Sequence, residues 1–279
     1  MFGERRMEIG ISTYLYHDAD LLKGLEKLSC LGYRFIEINP HGSSYLSSKK
    51  DVAEVAKYAG SLGLTVNSIH LGNCPNDIGS SDPKERQKGI EWIERNLDLY
   101  QVFQPKYLGI HRPGLWEDLS DPEHFKKVTG WAIESVTEVA KFSRERGLKL
   151  EVETSGGYGD VKTLREIVAP FPKDEVGILV DTGHCWRSRG GTGDPALKIR
   201  EADDRLFGVH IHDNHRAEDE HLVPGEGTID WSSVLEALKD VGYEDIFTLE
   251  CANSTTTQDR DTIALLAKQA AERLLAARD

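Results

Sequence analysis

The chain has 279 residues, 39% of them hydrophobic and 29% charged, an ordinary composition for a globular protein, and no apolar stretch approaches the roughly 20 residues that cross a bilayer. Its formal charge of −13 disfavours a nucleic-acid partner without deciding the matter, because duplex binding needs a basic face and net charge does not describe a local cleft. The opening residues, MFGERRME, are charged and lead into a strand, so we expect no signal peptide, no membrane partner and a cytoplasmic protein.

Short apolar runs alternate with longer segments of helical period along the chain. Strands are predicted at 8–12, 33–38, 65–70, 106–111, 148–153, 176–181, 206–212 and 245–250. Helices are predicted near 19–31, 50–62, 83–102, 121–146, 160–168, 195–202, 231–240 and 260–276. The third helix shows the pattern clearly, because Ile90, Ile93 and Leu97 recur on one face.

Eight strand–helix alternations with short connections require parallel strands joined by helical crossovers. Eight strands also close into a barrel. An open doubly wound sheet is the alternative, but it usually carries a glycine-rich first turn, and the first turn at 12–16 has no glycine. We therefore predict an α/β protein, a single (β/α)8 TIM barrel over 1–279 in which residues 1–6 are a short N-terminal extension.

Histidines and acidic residues stand at the C-terminal ends of seven predicted strands. They are Glu37, His70, His111, Glu153, Asp181, His210 and Glu250. The connections after two of these strands add His184, Asp219 and His221. Active sites of (β/α)8 barrels lie at this end, and imidazole together with carboxylate suits Zn²⁺, Mn²⁺ or Fe²⁺ rather than Ca²⁺ or a thiolate-bound metal. The pattern therefore predicts a divalent-metal site at the barrel mouth.

Alternation along two strands leaves the choice of ligand open. Glu151 lies on the same strand face as Glu153, and His212 shares a face with His210. We favour Glu153 and His210 as the ligands. The four cysteines are scattered without a CxxC pair, so we expect neither a disulfide framework nor a thiolate metal site.

The strand ends resemble those of the xylose-isomerase-like barrel superfamily, which includes endonuclease IV and many sugar isomerases and epimerases. Two motifs carry most of the resemblance: Asp-Thr-Gly-His at 181–184, and His221 followed by Pro-Gly-Glu-Gly at 224–227. The resemblance extends from the first strand to Glu250. It implies a metal-dependent enzyme, and two branches of the superfamily imply different chemistry.

The epimerase branch implies one metal ion and proton transfer by two carboxylates. The residues matching its metal ligands are Glu153, Asp181, His210 and Glu250. In that branch the two glutamates, Glu153 and Glu250, also act as acid and base. The implied substrate contacts are His184 and Arg216, to which we add Glu37 as either a contact to substrate hydroxyls or a structural carboxylate. The chain has Gly159 where some epimerases place a further glutamate.

The endonuclease IV branch implies three zinc ions and hydrolysis of DNA at abasic sites. The residues matching its first metal set are His70, His111 and Glu153, and Glu153 would bridge to a second set made by the four ligands above. The residues matching its third set are His184, Asp219 and His221. The segment Leu-Gly-Asn-Cys at 71–74 lacks the bulky apolar side chains that wedge into a duplex.

We favour the first branch and predict a divalent-metal-dependent isomerase or epimerase acting on a small sugar or sugar phosphate. An endonuclease IV-like phosphodiesterase is the alternative, and a binding barrel that keeps a metal for structure is a third hypothesis, disfavoured because structural metal sites rarely lie at a barrel mouth. The expected cofactor is Zn²⁺, Mn²⁺, Mg²⁺ or Co²⁺, with one ion in the favoured hypothesis and up to three in the alternative. Because barrels of this kind often dimerise, a homodimer is a further expectation.

Overall fold

Eight parallel strands close into one barrel in chain order. The computed structural model describes residues 7–114, 117–155, 161–187 and 193–278, so the predicted extension at 1–6 and Gly159 lie outside the described residues. The strands are β1 Ile9–Ser12, β2 Phe35–Ile38, β3 Thr65–His70, β4 Tyr107–His111, β5 Lys149–Glu153, β6 Val176–Asp181, β7 Leu206–Ile211 and β8 Phe247–Leu249. Each strand pairs with the next in parallel, and β8 pairs with β1. This arrangement confirms the predicted (β/α)8 barrel.

Helices connect successive strands. The α-helices are α1 Leu21–Cys30, α2 Lys49–Ser61, α3 Pro83–Tyr100, α4 Pro122–Glu145, α5 Val161–Val168, α6 Thr182–Trp186, α7 Pro195–Ala202, α8 Trp231–Asp240 and α9 Arg260–Arg278. Short 3-10 segments lie at Thr13–Tyr16, Ser44–Leu46, Gln101–Phe103 and Asp203–Arg205. Across the described ranges, no helix combines the length and apolarity needed to cross a membrane.

The apolar core lies between the strands and the helices rather than inside the barrel. Along β7, the side chains of Val209 and Ile211 join one hydrophobic cluster with residues from the helices. The intervening residue, His210, points into the barrel, where it lines a small interior cavity with Glu37 and Glu151. The same two-residue period operates in β5, where Leu150 and Val152 belong to the apolar cluster. The interior of the barrel is therefore free to carry polar side chains.

The pairing register brings the polar strand ends to a common level. Asp181 of β6 is paired with His210 of β7. His111 of β4 is likewise paired with Glu153 of β5. Because all eight strands run in the same direction, their C-terminal ends meet at one mouth, and the residues there face one another across it.

The helix α6 was not predicted from the sequence. It has 5 residues and begins directly after β6, which is too short for an apolar period to be recognised. Asp181 caps it, because its Oδ1 accepts a hydrogen bond of 2.6 Å from the backbone N–H of His184. The cap turns the chain back over the mouth and places the His184 side chain there.

Candidate metal centre

Four buried side chains from adjacent strands converge at the barrel mouth. This group, called here the central group, consists of Glu153, Asp181, His210 and Glu250. One donor atom from each lies within 4.8 Å of the donor atoms of the others. None of the four residues is more than 4% exposed. The geometry brings together the four residues that were predicted as ligands.

His210 presents its two ring nitrogens to different partners. Its Nδ1 lies 3.1 Å from Glu153 Oε1, 3.3 Å from Glu250 Oε2 and 3.7 Å from Asp181 Oδ2. Its Nε2 faces the barrel interior, 3.0 Å from Glu37 Oε2. The nitrogen directed at the carboxylates of the central group is therefore Nδ1.

Two further histidines contact Oε2 of Glu153, the carboxylate oxygen that does not face His210. His70 Nε2 lies 3.0 Å from Glu153 Oε2, and His111 Nε2 lies 3.1 Å from the same atom. Gly72 admits this arrangement, because a Cβ there would stand 2.4 Å from His111 Nε2 and 2.6 Å from a ring carbon of His70. His70 can join a metal-binding group with Glu153 and His210, whereas His111 belongs to none of the groups found among the described residues.

A second set of potential metal donors lies beside the central group. This set, called here the outer group, consists of His184, His212, Asp219 and His221, and its donor atoms also lie within 4.8 Å of one another. His184 Nε2 lies 3.1 Å from Asp219 Oδ2. The rings of His212 and His221 are stacked, with centroids 4.0 Å apart and planes 13° apart.

Asp181 joins the two groups, because its carboxylate accepts a hydrogen bond from the backbone N–H of His184 and also contacts the His212 ring. His212 Nε2 lies 2.9 Å from Oδ1 of Asp181, a member of the central group. Gly183 makes room for this contact, since a Cβ at that position would stand 1.9 Å from the His212 ring. The glycine of the Asp-Thr-Gly-His motif is thus required by the close approach of the two groups.

The loop that carries Asp219 and His221 is anchored by Asp213. Its carboxylate accepts hydrogen bonds from the backbone N–H groups of Asn214, Gly225 and Ile229 and from the Trp231 indole. Asp213 is fully buried, so these four bonds replace the hydration of its charge. The Pro-Gly-Glu-Gly motif therefore helps to fix the loop that carries Asp219 and His221 of the outer group.

Carboxylates and histidines shift one another's pKa in the central group. Burial raises the pKa of Glu153, but the charges of His70 and His111 and hydrogen bonds from His111 and His210 outweigh burial and hold it well below its usual range. Burial opposes protonation of His70, yet Glu153 raises its pKa to about 9. Burial likewise opposes charge on His210, whose pKa is nevertheless raised well above the usual range by Glu250 and Glu37. In the absence of a metal, protonated imidazoles supply the positive charge that the carboxylates require.

The outer group has the same electrostatic character. Burial opposes ionisation of Asp219, but hydrogen bonds from His184 and His221 hold its pKa well below the usual range. Burial opposes protonation of His221, and Asp219 and Glu250 raise its pKa to about 9. Asp219 Oδ1 and His212 Nδ1 are buried and have no hydrogen-bond partner among the described residues. Both atoms are candidate ligand atoms.

The donor chemistry fits a divalent ion. The central group offers three carboxylates and one imidazole, a combination that suits zinc or manganese. Thiolates take no part, because the Cys185 thiol points to Thr154 and the Cys251 thiol to the backbone of Ile211. Burial raises the pKa of Cys185 to about 12. A cation in the central group would compensate charges that are otherwise costly to bury.

Other predicted residues lie in different surroundings. Glu151 is buried in the barrel interior and belongs to none of the donor groups of the described residues, in agreement with the preference for Glu153. Arg216 is exposed, and its guanidinium lies over the Trp186 ring, 4.1 Å from the centroid, so its predicted substrate contact stays a prediction. His212 was considered only as a substitute for His210, and its place in a second group was missed.

Comparisons with known proteins agree with this geometry. A family model described as xylose isomerase-like TIM barrel matches residues 25–276. The chain is 25% identical over 240 residues to D-psicose 3-epimerase of Enterocloster bolteae, which covers 83% of this chain and 77% of that protein. The crystal structure of a D-tagatose 3-epimerase-like protein has a TM-score of 0.82 at 24% identity and covers 97% of this chain and 98% of that one. The IOLI protein, solved with a zinc atom bound, has a TM-score of 0.81 at 19% identity and covers 98% and 99%. The structural likenesses show the shared fold.

Proposed function

The chain belongs to the xylose isomerase-like TIM barrel family, and from that premise we propose that it is a divalent-metal-dependent isomerase or epimerase acting on a small sugar or sugar phosphate. The observation that carries the proposal is the central group, in which two glutamates share one buried site with Asp181 and His210. The similarity to a D-psicose 3-epimerase supports a carbohydrate substrate.

The proposed mechanism assigns proton transfer to Glu153 and Glu250. A divalent ion held by the central group would polarise a substrate carbonyl and so acidify the neighbouring C–H. One glutamate removes the proton from that carbon, and the other returns a proton to the carbon skeleton. His70 and His111 both direct Nε2 at Glu153 Oε2, so they hold this carboxylate in position while its Oε1 faces His210 Nδ1.

The outer group supports a role in holding substrate oxygens. His184 is 11% exposed. Its Nδ1 lies 2.9 Å from the Thr154 carbonyl oxygen and its Nε2 lies 3.1 Å from Asp219 Oδ2, so a substrate hydroxyl would take the place of Asp219 at Nε2. Tyr14 lies nearby, with its ring centroid 5.2 Å from that of His221. These side chains would contact substrate hydroxyls while the central group acts on the carbonyl end.

Isotope exchange tests this assignment. The manganese-loaded protein is incubated with ketoses in D₂O, and NMR follows deuterium incorporation beside the carbonyl and formation of the epimer or isomer. Glu153→Gln and Glu250→Gln should each lower the rate by about 10²- to 10⁴-fold, the usual contribution of a general acid or base. Full activity in either variant would contradict the mechanism.

Glu151→Gln is the matched control. Glu151 lies two residues before Glu153 on β5 and is also buried. Burial and the nearby Glu37 raise its pKa to about 8, so the residue is largely neutral at pH 7 and glutamine resembles that form. This variant should retain the wild-type exchange rate.

The outer group favours a second candidate function, phosphodiester hydrolysis assisted by more than one metal. The observation in its favour is that His184, Asp219 and His221 form a metal-capable set with His212. Leu71 is only 1% exposed and Gly72 packs against His111, so neither is placed to enter a duplex. We therefore rank this function second.

Elemental analysis and a nicking assay separate the two candidates. The epimerase hypothesis predicts one essential ion per chain and no cleavage of an abasic-site duplex. The phosphodiesterase hypothesis predicts two or three zinc ions and cleavage that Asp219→Asn abolishes.

A further inference from the structure

We propose that Glu37 is a positioning residue that keeps the proton of His210 on Nε2 and thereby presents Nδ1 to the central group. This inference rests on the metal site of the proposed function. The sequence left Glu37 as either a contact to substrate hydroxyls or a structural carboxylate, and the proposal gives it instead a role behind His210, on the side of the ring away from the central group.

The first step is the placement of Glu37 behind His210. Glu37 lies on β2 and is 2% exposed. Its Oε2 lies 3.0 Å from His210 Nε2, while His210 Nδ1 faces the three carboxylates of the central group. The imidazole ring therefore stands between Glu37 Oε2 and the three carboxylates of the central group. Glu37 also belongs to a donor group with His70 and Glu250, but its hydrogen-bonded oxygen is directed at His210 Nε2, and we assign its effect to that ring.

The second step is that Glu37 is itself held in place. Ser68 Oγ donates a hydrogen bond of 2.9 Å to the same Oε2. Ser68 lies on β3 and is the pairing partner of Glu37 in the strand register. The carboxylate is thus fixed by the neighbouring strand, and it fixes His210, which comes from the far side of the barrel.

The third step is the tautomer. A neutral imidazole carries one proton, and only the nitrogen without it has a lone pair for a metal. A carboxylate beside Nε2 favours the tautomer with the proton on Nε2, because that N–H can donate to it. Carboxylates that accept from the remote nitrogen of a ligand histidine orient the ring and raise its basicity. If a metal displaced the proton that faces Glu153 and Glu250 at Nδ1, the Glu37 contact would keep the remaining proton on Nε2 and leave Nδ1 as the donor atom.

The fourth step is that fold stability alone does not account for Glu37. Its Oε1 is buried and has no hydrogen-bond partner among the described residues. Burying a carboxylate that is only partly satisfied is costly, and an apolar residue of similar size is often more stabilising at such a position. The orientation of His210 gives the buried carboxylate a function that offsets this cost.

The test measures metal binding rather than turnover. Metal-free wild-type protein and the Glu37→Gln and Glu37→Leu variants are titrated with Zn²⁺ in competition with a chromophoric chelator. Glu37→Leu should weaken Zn²⁺ binding by about 10- to 100-fold. The Zn²⁺ affinity of Glu37→Gln should lie between those of the wild-type protein and Glu37→Leu, because the glutamine amide oxygen can still accept a hydrogen bond from His210 Nε2. Wild-type affinity in both variants would overturn the proposal.

A spectroscopic readout separates positioning from a general structural effect. In the Co²⁺-loaded protein, the visible ligand-field bands should shift in Glu37→Gln, because a neutral amide oxygen is a weaker acceptor than a carboxylate and leaves His210 Nδ1 less basic. Glu151→Gln, a second buried carboxyl in the same cavity, should leave both the bands and the Zn²⁺ affinity as in the wild type. Equal losses in Glu37→Gln and Glu151→Gln would contradict a specific role for Glu37.

Failure of the positioning role can be distinguished from failure of the proposed function. If Glu37→Gln weakens Zn²⁺ binding but the wild-type protein converts no sugar, Glu37 keeps its role and the isomerase proposal falls. If Glu153→Gln abolishes sugar conversion while both Glu37 variants bind Zn²⁺ normally, the isomerase proposal stands and the positioning role falls. Thermal unfolding of each metal-free variant checks the fold, and Glu37→Gln serves if Glu37→Leu does not fold.

Discussion

Replacing Gly183 with alanine tests the geometric link between the two donor groups. The added methyl carbon would stand 1.9 Å from His212 Cε1 and 2.4 Å from Nδ1. To reach an ordinary contact of 3.4 Å, the ring must move by about 1.5 Å. His212 is fully buried and stacked on His221, so it has no open space to enter. The substitution should therefore break the 2.9 Å contact between His212 and Asp181.

The expected cost follows from two effects. Overpacking in a dense interior costs about 1–3 kcal/mol, and loss of the hydrogen bond to buried Asp181 costs about 1–3 kcal/mol more. A destabilisation of about 2–6 kcal/mol should lower the Tm by about 3–10 °C for a chain of this size. Any metal bound by the outer group should also be lost.

Differential scanning calorimetry and elemental analysis measure these two outcomes. Gly130→Ala is the control, because Gly130 lies in α4 and a Cβ there meets nothing within 4 Å. Alanine in a helix is favoured over glycine by about 0.5–1 kcal/mol, so the control should be unchanged or slightly more stable. A Gly183→Ala protein with the wild-type Tm and metal content would refute the packing argument.

Four further predictions concern metal binding, pH and the contacts of Asp213. Zn²⁺ at a free concentration of 100 times its Kd should raise the free energy of unfolding by about 2.7 kcal/mol, and EDTA should reverse this gain. If calorimetry shows no such shift, the folded protein does not bind the ion as proposed. His70 and His221 have pKa values raised to about 9. The stabilisation of the metal-free protein by these two charges is therefore complete below about pH 6.5 and is lost as the pH rises through 9. Urea titrations at several pH values can follow this loss. Over the same pH range, the affinity for Zn²⁺ should rise about tenfold per pH unit for each proton that the ion displaces. Calorimetry in two buffers should detect the released protons. Binding that does not depend on pH would contradict this prediction. Asp213→Ala should destabilise the protein by about 3 kcal/mol or more, because four donors lose a buried acceptor; an unchanged urea midpoint would show that the loop does not depend on them.

The central group could be predicted from the sequence because it depends on a simple rule. Parallel strands that follow one another in a closed barrel must end at the same mouth. Asp181 and Glu153 are the last residues of their strands, so the strand assignments alone bring them together. Small errors at strand ends do not alter this result; the eighth strand ends at Leu249, one residue earlier than predicted, and Glu250 still reaches the site.

The place of His212 in the outer group and the Glu37 contact required three-dimensional information, whereas the resemblance had already grouped His184, Asp219 and His221. Nothing in the local sequence distinguishes His210, which points into the barrel, from His212, which leaves the strand and stacks on His221. Alternation predicts that Glu37 faces the interior, but its contact with His210 joins strands β2 and β7 across the barrel. Cross-barrel contacts depend on the closure of all eight strands and not on any one of them.

The alternation of apolar and polar side chains along each strand has a consequence for how this chain can change over evolutionary time. In β7, Val209 and Ile211 belong to the apolar cluster, and His210 between them belongs to the mouth. Neighbouring positions are therefore under different selective pressures, one for stability and one for chemistry. A lineage can exchange the inward residues for those of another reaction while the outward residues keep the protein folded.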